Sequence, residues 1–578
     1  MIGDMAGESK TSKRRFELVQ SDQGRLELVA EGDKSSEEEQ ISEINDDLSE
    51  FIDHYTRELE AERKGFTPIH VDEIASKLAG LYEKIRKVVD WKDDNALRRG
   101  AIERILKRLL FPKLTGMTIN EIAPDDLAET VTMELIRGGH LPNDRVPRER
   151  AENAGLYVKK YLSFLHDPTL NTMDVKSRVN FTTFVIEIAA CEIEEILTHP
   201  MKEYGLIKVM TEMLDKRLKI VPETAINQEE KTKQLFVAVC RTLYDLDDNF
   251  IIYRMLRNKY HYWRHPNEEQ TKVLGQNLYR DWNELKQEIN LPISQKFTSL
   301  AERMDTAFVL IDDVLEQRRG EPKKIREAFE YKTDFTGMID QAYEKRHKTL
   351  KTRLFRLGAF STLSVFLSNW VTFYIVEVPL AKLFYEGFSL AAAVVDFAIP
   401  TAVMFLLVSI IRPPGQNNKA KVIKTTLSFV YPDEGGEGFR IRMTERPSIF
   451  RWILGIMYTL TIILVFLAVA WVFYVAHLPM TSVIFDTFTI AMTVFAAHTI
   501  KNKSRELNVD EQISVFDFLL DIITLPIAKV GSFFAAKWKE YNIISILFNF
   551  VIEMPFSIIL NFIQEWSEFL KERRAELH

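Results

Sequence analysis

The chain has 578 residues with 83 acidic and 75 basic side chains, a net charge of −8, and nearly all of the acidic excess lies before Leu357. So mild an acidity leaves too few free cations to neutralise phosphates, which excludes nucleic acid as a main partner. With only two cysteines, Cys191 and Cys240, a disulfide framework and a thiolate zinc site are excluded, and both thiols are expected in the core.

Residues 1–35 read mostly as a polar tail with no apolar stretch of signal-peptide type. Within them Phe16–Val19 and Leu26–Val29 alternate as a weak β-hairpin does. From 36 to 356 the apolar period is helical: Ile41, Ile44, Leu48, Phe51, Tyr55 and Leu59 recur every three or four residues. Further stretches at 145–166, 174–198, 201–219, 228–263, 268–289, 295–318 and 322–356 follow, separated by Pro, Gly or Asn-rich breaks. They predict a domain of about ten helices. The last is expected to run from Lys323 into the membrane unless Gly337 or Gly358 breaks it.

Chemistry is sparse in this domain. His261 and His265 share a helical face, but no third metal ligand follows at recognisable spacing. Asp245, Asp247 and Asn249 open like an EF-hand loop, yet Phe250 and Leu256 replace its Gly and Glu, so a solvated helix start is expected. Glu187, Glu192, Glu194 and Glu195 are expected on an exposed face. Helix 97–111 carries Arg98, Arg99, Arg104, Lys107 and Arg108 around an apolar stripe. Such a helix can meet an anionic leaflet; an ordinary packed helix with a cationic outer face is the simpler reading.

Near Leu357 the chain changes solvent. Four apolar runs, 357–381, 387–411, 449–476 and 478–500, are each long enough to cross a bilayer, which needs ~20 residues at 1.5 Å rise. Cations from Lys345 to Arg356, from Arg412 to Arg451, and from Lys501 to Arg505 cluster on alternate sides, which predicts both termini in the cytoplasm. The first run carries a row of Ser361, Ser364, Ser368 and Thr372, with Glu377 near its outer end. Asp396 lies four residues before Pro400 in the second run; Asp486, Thr489 and Thr493 share a face of the fourth. An intramembrane carboxylate suggests function by its cost of ~3 kcal/mol, so Asp396, Pro400, Asp486, Thr489 and Thr493 form a candidate polar path, with structural polar packing as its rival.

The loop 412–448 is expected to hold a β-hairpin, Val422–Tyr431 against Gly438–Met443. Residues 501–578 contain two amphipathic stretches, expected to lie along the inner leaflet, with crossing as the alternative. The predicted fold class is therefore all-α: a cytosolic multi-helix domain (36–356), two pairs of transmembrane helices (357–411 and 449–500), a loop hairpin and amphipathic C-terminal helices. No catalytic constellation is recognisable, so no enzymatic activity, cofactor or metal is expected. The expected function is a multi-pass membrane protein, its partners the lipid bilayer and proteins that the cytosolic domain binds or organises into an assembly, with a homo-oligomer left open. The alternative is a channel or carrier lined by Asp396 and Asp486 and gated by that domain.

Overall fold

The computed structural model describes residues 16–20, 26–30, 42–62, 67–69, 94–116, 124–142, 146–165, 167, 170, 172–384, 390–436, 438–443, 448–475, 480–509 and 515–541. Strands β1 (Phe16–Gln20) and β2 (Leu26–Ala30) pair antiparallel, as their alternation predicts. Helices α1 (Asp46–Glu62), α2 (Asp94–Gly116), α3 (Pro124–Arg137), α4 (Arg148–Leu165), α5 (Val175–Thr198) and α6 (Met201–Arg217) follow. After strand β3 (Leu218–Val221) come α7 (Gln228–Leu243), α8 (Asp248–Lys259), α9 (Glu268–Glu288), α10 (Ser294–Arg318) and α11 (Lys323–Glu330).

Several starts are encoded locally. Asp174, Asn227 and Asp247 each accept a backbone N–H three residues on, at 3.1, 2.7 and 2.8 Å, and Asn267 forms a reciprocal capping box with Gln270. The Asp247 cap splits the single helix expected over 228–263 into α7 and α8, with Asp245 in the left-handed region at φ 47°. Asp245 and Asp247 thus serve the helix start that the EF-hand mismatch predicts. Helix α5 packs against α2, α4 and α8, and α10 against α6 and α7. Cys191 and Cys240 are both buried.

Helix α12 (Lys332–Thr372) runs without interruption from the helical domain into the first apolar run. The break from the preceding helix falls at Tyr331, whose extended backbone separates α11 from α12, and not at Gly337 or Gly358. A π turn at Phe373–Glu377 leads into α13 (Val378–Phe384). Then come α14 (Leu390–Ile410), α15 (Gln416–Val430), β4 (Phe439–Arg442), α16 (Ser448–Val475), α17 (Met480–Ser504) and α18 (Val515–Tyr541).

The hairpin expected in 412–448 is not formed. Residues Gln416–Val430 are helical because Val422, Thr426, Phe429 and Val430 repeat at helical spacing and bury one face. Strand β4 instead pairs in parallel with β3, Leu218 opposite Phe439 and Val221 opposite Arg442, more than 200 residues away in the chain. Helix α15 packs on α10 and α12. The Val430 carbonyl accepts the Asn45 amide at 2.8 Å, and the Tyr431 hydroxyl donates to the Phe329 carbonyl at 2.8 Å. One apolar core therefore extends from Leu48 and Leu214 through Val422, Phe429 and Tyr431 to Met404, Ala497 and Ile500 on the apolar helices.

Among the described residues, four helices are long and apolar enough to cross a membrane: Lys332–Leu380, Trp452–Val472, Val483–Ser504 and Asp517–Lys537. Ala398–Ile410, within α14, is a shorter apolar helix. Helix α18 runs antiparallel along α17. Lys501 pairs with Asp521 at 2.7 Å, Gly531 abuts the Ala491 carbonyl, and Phe534 meets Phe488 at 4.8 Å between ring centroids. Glycine at 531 permits this approach, since a Cβ there would stand 2.2 Å from the Ala491 oxygen. The second amphipathic stretch, Ser545 to Glu565, lies outside the described residues.

Candidate functional site

Of the four α5 glutamates expected on an exposed face, Glu192, Glu194 and Glu195 are interior, and Glu187 is half-buried. Glu192 is 1% exposed and Glu194 and Glu195 are nearly as buried. Each is met by cations from elements distant in sequence. Lys160 Nζ, on α4, lies 2.7 Å from Glu192 Oε2 and donates also to the Trp263 carbonyl at 2.8 Å, while the Tyr161 hydroxyl and Trp263 Nε1 donate to the same carboxylate. Glu195 accepts the Tyr253 hydroxyl at 2.8 Å and is ion-paired with Arg254, Arg257 and Arg264. Arg99 bridges Glu194 at 2.8 Å and Asp247 at 2.7 Å.

Burial and charge compete here. Burial works to raise the Glu195 carboxyl, but the three guanidiniums and the Tyr253 hydroxyl outweigh it and hold Glu195 below the usual range. Burial pushes Lys160 down although Glu192 opposes the shift. At Glu187 burial, with Glu103 adding repulsion, overcomes Lys107 and pushes the carboxyl up to about 7. Burial raises the Cys191 thiol well above its ordinary value, which makes it unreactive.

This network consumes much of the cationic face predicted for leaflet contact. Arg99 is buried; Arg98 lies 3.4 Å from Glu194, Lys107 pairs with Glu103, and Arg108 pairs with Glu134. The Arg104 guanidinium packs beside Gly100. A helix whose acidic partners are supplied by α3 and α5 looks free for a membrane only when its own sequence is read alone.

Beside Arg98, Arg99 and Glu194 opens a cavity of about 1250 Å³, bounded further by Tyr55, His199 and Lys202. Its lining comes from the helical domain alone. Burial pushes the Tyr55 hydroxyl up to about 12, against the pull of Lys202. The lining offers donors, acceptors and aromatic surface but brings no nucleophile against a base; recognition is the chemistry it supports.

Among the apolar helices, Asp486 is 3% and Thr493 1% exposed, on one face of α17 with Ile490 and Ala497. The Thr489 hydroxyl turns back to the Phe485 carbonyl at 3.0 Å, whereas Thr493 Oγ1 has no hydrogen-bond partner among the described residues. Pro400 is buried within α14; the Asp396 side chain lies outside the described residues. On α12 the buried face is not the predicted serine row, since Ser364 and Ser368 are exposed. It runs instead through Gly358, Asn369, Phe373 and Glu377. Asn369 carried a signal that the serine row masked: a lone amide in an apolar run needs a protein neighbour. The Lys160–Glu192–Trp263 cluster had none, because its members are 32 and 71 residues apart.

No protein-family model, curated protein or solved structure matches the chain.

Proposed function

We propose that the chain is a multi-pass membrane protein, both termini cytoplasmic, whose large helical domain binds protein partners and organises an assembly at the membrane. The observation that carries this reading is the 1250 Å³ cavity, built wholly from the helical domain and lined by residues of both charges and by aromatic rings. Two features support it. The cations flanking the apolar helices, Lys345 to Arg356 and Lys501 to Arg505, favour a cytoplasmic helical domain. The shared core and the unbroken α12 hold that domain on the apolar helices, as a presented binding surface requires.

The test is site-directed photocross-linking in cells from a probe at His199, with a second probe at the exposed Lys208 as control. A discrete cross-linked protein from 199 alone supports the reading. The rival, a channel or carrier, draws on the buried Asp486 and Thr493 face. Ion flux in liposomes holding the full chain, abolished by Asp486→Asn, would overturn the assembly reading in favour of transport.

A further inference from the structure

Helix α18 keeps one register against α17. Lys501 lies opposite Asp521, Ala491 opposite Gly531 and Phe488 opposite Phe534. The same register brings Tyr541, the last residue of α18, level with Thr481 in the first turn of α17, and Lys529 level with Thr493 near its middle. In a bilayer crossed by both helices, α18 then ends on the side where α17 begins, opposite the side of Lys501 and Arg505.

Lys529 is out of place on such a helix. Its neighbours Ile527, Ala528 and Gly531 are buried, whereas Lys529 is exposed and faces away from them. The carboxylates of α18, Asp517 and Asp521, are taken by Lys501 and Arg505, and Lys529 forms no ion pair among the described residues. It stands eight residues beyond Asp521, ~12 Å at 1.5 Å per residue, and twelve before Tyr541. A cation so far from both ends is costly in hydrocarbon, and charges at that depth face protein or water and pair with one another.

The chain beyond α18 supplies a partner. Residues 543–563 are apolar apart from the row Ser545, Asn549, Glu553, Ser557 and Asn561, and Glu553 is their one charged group. As a helix these 21 residues measure ~31 Å, enough for a ~30 Å hydrocarbon core. Pro555 does not forbid a helix there, since α14 and α18 contain Pro400 and Pro526. Lys571, Arg573 and Arg574 follow, and the rule that orients the other helices assigns them to the side of Lys501 and Arg505. A chain that leaves α18 on the far side reaches that side only by crossing once more.

The spacing of the two charges agrees with this return. Glu553 lies twelve residues after Tyr541, as Lys529 lies twelve before it. In a helical hairpin with a short turn after Tyr541, both come to the same depth to within about one helical turn.

We propose that residues 543–563 recross the membrane antiparallel to α18 and that Glu553 pairs with Lys529 within it. The outward face of α18 is thereby covered by the chain's own next segment, and the C-terminus returns to the side of the helical domain. The proposal rests on the membrane reading above.

The test uses the full chain in cell membranes, where the native thiols Cys191 and Cys240 are buried. With an impermeant maleimide, Glu540→Cys is expected to label from the same side as His477→Cys, and Glu576→Cys from the opposite side. Labelling of 540 and 576 from one side, or of 540 from the side opposite 477, would overturn the recrossing. Lys529→Cys with Glu553→Cys should form an oxidative cross-link within one chain, found as a joined peptide pair by mass spectrometry, with Phe488→Cys and Phe534→Cys as the positive control. A cross-link in the control alone, or between two copies only, would overturn the contact. Lys529→Glu and Glu553→Lys should each lower the Tm of the detergent-purified protein, and the double exchange should recover most of the loss; additive losses, or none in either single variant, would overturn the ion pair. Release of the unmodified chain from membranes by alkaline carbonate would instead sink the membrane reading, a separate result.

Discussion

Asn418 Nδ2 donates to the Leu507 carbonyl at 2.6 Å, and Asn418 Oδ1 accepts the Val509 amide at 3.0 Å. One buried amide on α15 thereby holds the segment that leaves α17. The same Nδ2 reaches the Tyr343 hydroxyl on α12 at 3.3 Å, so three separate stretches of chain meet at this side chain. The side chain thus adds a polar tie to the apolar core that the helical domain shares with the apolar helices.

Asn418→Ala removes all three bonds and strands a buried amide and carbonyl. At about 1 kcal/mol or more per lost partner, a loss of about 2–4 kcal/mol is expected, read as a lower Tm of the detergent-purified protein. Asn418→Asp keeps the acceptor for Val509 and should fall between the two. An Ala variant as stable as the parent would show that the junction is held elsewhere.

Glycine at 358 lets α12 and α14 touch: a Cβ there would stand 2.2 Å from Val408 Cγ1. Gly358→Ala should cost about 1–3 kcal/mol by overpacking. Val408→Ala opens that space, and the double variant should recover most of the loss, a coupling measurable as a double-mutant cycle on Tm. Gly455→Ala is the control, because nothing lies within 4 Å of its Cβ position.

Lys160 and Glu192 are buried together, their side chains 4% and 1% exposed. Breaking the pair by Glu192→Gln or Lys160→Met leaves one uncompensated charge, for an expected loss of about 3–5 kcal/mol. The double change Lys160→Met with Glu192→Leu should cost less than the sum of its singles. Additive losses would mean that the two residues do not act as a pair.

Glu187 gives a pH dependence with a definite sign. Its folded carboxyl is pushed up to about 7 by burial and by Glu103, above its ordinary value of 4.5. The unfolded chain therefore releases the proton first as pH rises, so this group lowers stability between pH 4.5 and about 7, and the loss is complete above that. Its side chain is only 24% exposed, so a contribution of about 1–3 kcal/mol is expected. Glu187→Gln keeps an acceptor for Asn249 and should raise Tm at pH 8 more than at pH 5. An equal rise at both pH values would remove Glu187 as the cause.

Local features were legible where they depend on neighbours in the chain. Helical spacing from Ile44 to Leu59 placed α1, and the helical stretches 174–198 and 268–289 placed α5 and α9. Three of the four apolar runs after Leu357 lie in helices long and apolar enough to span a membrane, whereas the run 387–411 contributes the shorter apolar helix Ala398–Ile410 and Asp517–Lys537 is the fourth such helix among the described residues. Where a residue's partner was distant, the same reading failed. Val422–Tyr431 looked like a strand until the faces of α10 and α12 were in place to bury its helical stripe. The α5 glutamates looked solvated because Lys160, Arg99 and Arg257 approach them from three other helices.

The sequence by itself determined most of the helical segments, though not Gln416–Val430, which segments are apolar enough to leave water, and which side of a membrane their flanking cations favour. Those properties arise from residues within a few turns of one another. Only the tertiary structure decided that Glu192, Glu194 and Glu195 are interior, that β4 pairs with β3, and that α18 lies along α17. Each of these is a relation between groups dozens to hundreds of residues apart, and the free energy that selects it, desolvation against pairing, exists only once the chain has closed around them.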